Sequence, residues 1–273
     1  MKQRIITALI CLPFVILVLF CPTWVVTLSV MAASLVGLYE YHKAVGLLDK
    51  KPLCLMGYLA CLLLPFGAWL SMGMIRTLIY LYIAVLFGVY LMQHKTAHWS
   101  NLALLVMGLV YIPYFLSHII YIRELDLGRF YIWLVFIGAF MTDTCAYFVG
   151  CGIGKTKLCP EISPKKTVAG AVGGIVGCGI CFLIYGIVVN TFFASGLDGG
   201  HFSLIRLFVM GLICAVLSEM GDLVASLIKR QYQIKDFGNL LPGHGGILDR
   251  CDSIILVAPM LFLFLQQVGI LVR

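Results

Sequence analysis

The sequence predicts an all-α fold, a polytopic integral membrane protein of about nine transmembrane helices, with its long charged loop at the cytoplasmic side of the C-terminal helices. Three observations predict it. Of 273 residues, 62% are hydrophobic and only 11% charged, with mean hydropathy +1.05, more apolar surface than a soluble core hides. The apolar residues fall in runs of bilayer-crossing length. Placing the N-terminus inside puts fourteen of the nineteen Lys and Arg residues on the cytoplasmic side and leaves Arg76, Arg123, Arg129, Arg206 and Arg273 outside, as the positive-inside rule expects. The net charge of +7 therefore reads as topology and gives no reason to expect nucleic acid.

The runs lie at roughly 4–21, 23–41, 53–71, 75–93, 101–121, 131–150, 169–191, 204–226 and 253–272. Met1-Lys2-Gln3-Arg4 resembles the start of a signal peptide, but Cys21-Pro22-Thr23 leads directly into the next run without a cleavage site, so the first run is kept as a helix. Glu40-Tyr41-His42-Lys43, closing the second run, reads as an interfacial anchor. His94 and His98 share a short inner loop with no carboxylate or cysteine beside them, and Arg123, Glu124, Asp126 and Arg129 form a solvated outer turn. The eleven cysteines lie mostly within apolar runs as small hydrophobes, Cys178 and Cys181 included. Residues 1–130 thus form an N-terminal set of five spans with little chemistry. Residues 131–273, spans six to nine with their cytoplasmic loops, hold the residues suited to chemistry.

Chemistry begins in the sixth run, where Asp143, Tyr147 and Gly150 share one helical face. The following Gly150-Cys151-Gly152-Ile153-Gly154-Lys155-Thr156 is no P-loop, since Val149 stands where the first glycine is required. Ser163-Pro164-Lys165-Lys166-Thr167 opens the seventh run, and Gly170, Gly173, Gly174 and Gly177 beyond it have the spacing of small-residue helix packing. Gly196, Gly199 and Gly200 read as turns.

The densest polar stretch is Ser218–Ser253, which holds five of the twelve acidic residues. On a helix, Glu219, Asp222, Ser226, Lys229, Arg230 and Gln233 fall on one face. Pro242-Gly243-His244-Gly245-Gly246 cannot continue that helix and lets the backbone approach a ligand. Asp249 and Asp252, at i and i+3, open the last run, where acids suit a helix N-terminus. Carboxylates with Ser, Lys, Arg and a glycine loop suit a hard divalent cation and phosphate oxygens. No zinc-finger spacing and no Gly-x-Ser-x-Gly elbow is present.

Ser226-x-x-Lys229-Arg230, Lys235-Asp236 and Pro242-x-His244-Gly245-Gly246-x-x-Asp249-Arg250-x-Asp252 resemble, position by position, the signature of the phosphatidate cytidylyltransferase (CDP-diacylglycerol synthase) family. Asp143-x-x-Ala146-Tyr147-Phe148-x-Gly150 and Ser163–Thr167 are similar to further family elements, although Ala169 stands where the family commonly has Glu. The resemblance covers residues 140 to 260. It implies transfer of CMP from CTP to phosphatidic acid, with Mg²⁺, and room for a second cation, as cofactor. Asp222, Asp249 and Asp252 are the implied metal ligands. Lys229 and Arg230 are placed for the lipid phosphate, Lys165, Lys166 and Arg250 for the triphosphate, with Ser226 beside them. His244 is a phosphate donor or a structural turn residue, and Asp143 a further contact or ligand for the second cation. The expected partners are CTP, phosphatidic acid and membrane lipid; assembly is left open between a monomer and a homodimer. A bacterial cytoplasmic membrane, with the N-terminus and active-site loops cytoplasmic, is the expected location.

Two rivals use the same residues. A CTP-dependent enzyme of another lipid, a polyprenol-kinase-like protein or an archaeal-lipid cytidylyltransferase, would need the same charge and metal chemistry. An ion-coupled transporter would also place carboxylates such as Asp143, Glu219 and Asp222 in the membrane, but it predicts polar groups spread through the midplane, whereas these gather at one end.

Overall fold

A computed structural model describes residues 13–197, 199–240, 243 and 245–272. Residues 13–20 are helical, and nine helices follow: α1 (Thr23–Ala44), α2 (Lys51–Leu63), α3 (Met72–Met92), α4 (Trp99–Leu109), α5 (Phe115–Arg123), α6 (Gly128–Ile153), α7 (Val168–Phe192), α8 (Leu204–Gln231) and α9 (Leu248–Gln267). A 3₁₀ segment, Leu64–Trp69, prolongs α2. A π-helical segment, Val110–Tyr114, joins α4 to α5 around Pro113, whose missing N–H and bulky ring disturb the regular ladder.

Among the described residues seven helices are long and apolar enough to cross a bilayer: α1, α2 with its 3₁₀ extension, α3, α4 to α5, α6, α7 and α8. The chain is an α-helical, multi-span membrane protein. Residues 4–12 of the first predicted run lie outside the described residues. The last predicted run falls on α9, a helix of 20 residues that opens with Asp249, Arg250 and Asp252 and is not among the seven.

The fold is not wholly helical. β1 (Lys157–Cys159) pairs antiparallel with β2 (Ser163–Thr167), and β3 (His201–Phe202) with β4 (Leu271–Val272). Strands of two to five residues are too short for periodicity to reveal, and Pro164 in β2 reads as a breaker unless it stands on a sheet edge.

The chain divides into two compact units, Met1–Glu124 with Tyr232–Arg250 and Leu125–Gln231 with Cys251–Arg273. This division by packing places the loop before α9 with the N-terminal helices. In the first unit Leu38, Leu105, Ile112, Ile120 and Ile122 are fully buried. Tyr41 lies over Gly108, where a side chain would collide with its ring, and donates from its hydroxyl to Leu104 O at 3.2 Å. In the second unit α6 and α7 pack through the predicted glycine stripe: a methyl at Gly173 would strike Val149 and one at Gly177 would strike Cys145. Bare glycine lets the two backbones come close enough for dispersion contacts along the seam.

Candidate active site

In the second unit, the β1–β2 hairpin presents Lys166 to α8. Lys166 Nζ lies 2.7 Å from Asp222 Oδ2, a close ion pair. The hairpin is fixed at both ends. Thr167 Oγ1 accepts from Gly170 N at 3.1 Å and so caps α7, while Arg230 Nε, at the end of α8, donates to Ile162 O at 3.3 Å. Lys165 is exposed on the strand next to Lys166, and successive strand residues face opposite sides.

One turn before Asp222, Glu219 is buried against Gly174, and its Oε1 has no hydrogen-bond partner. Gly221 lies against the carbonyl of Asp252, a contact that any side chain there would prevent, so α8 and α9 run close. Asp252 Oδ1 accepts from Ser253 N at 2.8 Å, and Ser253 Oγ donates to Asp143 Oδ2 at 3.4 Å. Asp222, Asp143 and Lys229 all lie near enough to act on the charge of the enclosed Asp252. Five residues singled out from the sequence, Asp143, Lys166, Asp222, Lys229 and Asp252, thus act on one another. Ser226 is half-buried one turn beyond Asp222 on α8.

In the first unit a different set of carboxylates organises the loop before α9. Asp249 is buried, and its Oδ2 accepts from Phe237 N at 2.8 Å and Gly246 N at 2.9 Å. Gly243 and Gly245 take φ of +79° and +83°, the left-handed region that the glycine-rich sequence allows. Arg250 is exposed, and His244 lies outside the described residues.

Glu40 corrects the sequence reading. Glu40, Tyr41 and His42 are buried and only Lys43 is exposed, so this stretch is no simple interfacial anchor. Glu40 Oε1 accepts from Ile247 N at 3.2 Å and Oε2 from Leu248 N at 2.9 Å. These are donors at the start of α9, which no residue of the helix itself can satisfy. A signal was available in that an acid closing an apolar span needs a partner, but the partner lies more than two hundred residues away.

Among the described residues, no group of three or more His, Cys, Asp or Glu side chains is arranged to hold a metal ion by itself. Mg²⁺ needs no such cage, since it retains water and takes oxygens from substrate phosphates beside one or two carboxylates. The second unit fits that demand. Asp143, Asp222 and Asp252 lie close together there and the buried Glu219 Oε1 is left without a donor, so acids are gathered where a cation would relieve their repulsion.

Comparison with known proteins matches residues 2–268 to the Cytidylyltransferase family. The phosphatidate cytidylyltransferase of Bacillus subtilis (strain 168) is 34% identical over 271 residues, 97% of each chain. That of Staphylococcus haemolyticus (strain JCSC1435) is 32% identical over 271 residues, 98% of this chain and 100% of its own. The phosphatidate cytidylyltransferase of Rickettsia felis is 38% identical over 165 residues, 60% of this chain and 71% of its own.

Proposed function

The chain belongs to the cytidylyltransferase family, and from that premise we propose that it transfers CMP from CTP to phosphatidic acid, forming CDP-diacylglycerol and pyrophosphate in phospholipid biosynthesis. The observation that carries the reading is the cluster in the second unit. Residues of three signature elements meet there, Asp143, Asp222 and Lys229 near Asp252 and Lys166 paired with Asp222, and the chain's full-length relatives carry that activity in their names.

The reaction asks little of a general base. A phosphate oxygen of phosphatidic acid, already an anion, attacks the α-phosphorus of CTP; the new P–O bond forms as the bond to the β-phosphate oxygen breaks, and its electron pair leaves with pyrophosphate. The protein's work is to align two anions and offset their repulsion. Lys166 is the cation on the hairpin, with Lys165 next to it, and both serve the triphosphate. Lys229 and Arg230, at the end of α8, serve the lipid phosphate, with Ser226 one turn inside them. Asp222 and Asp252 would hold Mg²⁺, with Asp143 near enough to serve a second cation; the metal supplies charge neutralisation on the phosphates. When Lys166 turns from Asp222 to phosphate, the carboxylate it leaves is free for a cation. Asp249, as a third metal ligand, Arg250 and His244 enter on the sequence signature alone.

The proposal includes nine crossings, the first run and α9 added to the seven, with the N-terminus and the signature loop cytoplasmic in a bacterial cell membrane. The distribution of Lys and Arg supports this orientation. A soluble nucleotide and a two-chain lipid meet only at an interface, which is why the catalyst belongs in the membrane.

Label from CTP should enter lipid when purified protein is given phosphatidic acid and Mg²⁺, should not with EDTA, and should fall on the order of 100-fold or more in Asp222→Asn. No product from folded protein with phosphatidic acid, but product with a polyprenol or another lipid acceptor, would overturn the acceptor assignment.

A further inference from the structure

We propose that Glu40, in the N-terminal helices, is the positioning residue of the signature loop, holding the start of α9 and the backbone of residues 245–248 in their working conformation. The inference rests on the proposed transfer reaction only for what the loop is used for. The tie itself stands on geometry.

Two oxygens of one carboxylate meet two successive backbone N–H groups, Ile247 at 3.2 Å and Leu248 at 2.9 Å. Both donors belong to the helix start, where the backbone has no intrahelical acceptor and favours negative charge. Ordinary caps come from the residue just before the helix. Here the acceptor comes from α1, so the loop is tied to a membrane span and not merely to its own neighbour.

The loop is shaped around that carboxylate. A methyl group at Gly238 or at Gly246 would run into the Glu40 side chain, so two glycines of the signature segment, eight residues apart, leave room for the same group. Asp249 completes the arrangement by accepting from Phe237 N and Gly246 N. Glu40 thus holds the helix start, Asp249 holds the loop's two ends together, and Gly246 takes part in both.

Packing alone does not hold this loop. Phe237, Gly238, Asn239 and Leu240 form one wall of a cavity of about 650 Å³ whose other walls include Tyr39, Lys43 and Tyr58. Leu240 is exposed. With open space on that side, hydrogen bonds carry the loop's position, and Glu40 makes two of them in a buried setting where charged acceptors are strong.

The test compares Glu40→Gln with Gly246→Ala in the full-length protein. Gln has the same shape but turns an NH₂ toward a backbone donor, so one hydrogen bond is lost; Ala at 246 displaces the carboxylate without changing it. Two readouts separate positioning from general stability. Amide exchange at Ile247 and Leu248 should quicken by at least about tenfold, the effect of losing about 1.4 kcal/mol of local protection, with α6 and α7 unaffected. For the transfer reaction, kcat should fall at least tenfold while KM for CTP changes less than threefold and the thermal midpoint in detergent stays near wild type; Glu40→Asp, which keeps both oxygens, should recover part of kcat. Wild-type exchange and wild-type kcat in both variants would overturn the proposal, as would a kcat loss fully explained by a smaller folded fraction. If the unsubstituted protein shows no transfer, the reaction assignment fails by itself, and the exchange experiment still decides whether Glu40 holds the loop.

Discussion

Carboxylates do two kinds of work in this molecule, and the difference can be read from what faces each oxygen. In the first unit, Glu40 and Asp249 accept four backbone N–H groups between them. In the second, Asp143, Glu219, Asp222 and Asp252 crowd one another with Lys166 as an ion-pair partner and one buried oxygen unmatched. Backbone-satisfied acids build structure, and altering one frees the segment that it holds. Mutually repelling acids are destabilised until something positive arrives, which is the arrangement a substrate and cation site requires.

The comparison breaks most readily at Asp249. Asp249→Ala leaves two buried N–H groups without an acceptor, each costing on the order of 1–3 kcal/mol, so the thermal midpoint should fall by several degrees and transfer should be lost with it. Asp249→Asn retains one acceptor oxygen and should fall less. If Asp249→Ala keeps the wild-type midpoint, the loop does not depend on that carboxylate and the two groups of acids are not different in kind.

Asp252→Asn should move stability the other way. Its carboxyl is enclosed beside Asp222 and Asp143, and like charges crowded together out of water are held at a cost. Removing the charge should therefore leave the midpoint unchanged or higher at pH 8. If Asp252 is a ligand, Mg²⁺ affinity, read as a metal-dependent midpoint shift, should fall in the variant. A variant less stable than wild type at pH 8 would show Asp252 to be structural.

How much of this was legible in the sequence follows the same division. The cluster around α8 was legible, because Glu219, Asp222, Ser226 and Lys229 share a helical face and the family signature adds Asp252. Membrane runs were legible from composition; the hairpin was not, because its strands span three and five residues and one contains Pro164. Glu40 was read as an anchor because its partners, Ile247 and Leu248, are near in space alone. For Asp249, a metal ligand by the resemblance, the sequence does not show the two backbone N–H groups that its Oδ2 accepts, because a helix-opening acid looks the same whatever donor it finds. Local periodicity shows which face a side chain takes, not which distant donor it finds.

The smallest effect should come from Thr167→Ala, which compares the two ways this chain caps a helix. Thr167 Oγ1 accepts from Gly170 N within its own turn, a neutral and local contact whose loss costs about 1 kcal/mol. It adjoins Lys166, yet the hairpin keeps its ladder from Lys157 to Thr167 and the anchor from Arg230 to Ile162. The ion pair to Asp222 should survive, the midpoint should drop by only a few degrees and turnover should stay within about threefold. Glu40 also supplies acceptors to a helix start, but from another helix, and there the expected loss is in turnover. Equal losses of turnover in Thr167→Ala and Glu40→Gln would mean that any frayed helix end disables the enzyme, and the special place given to Glu40 would go with it.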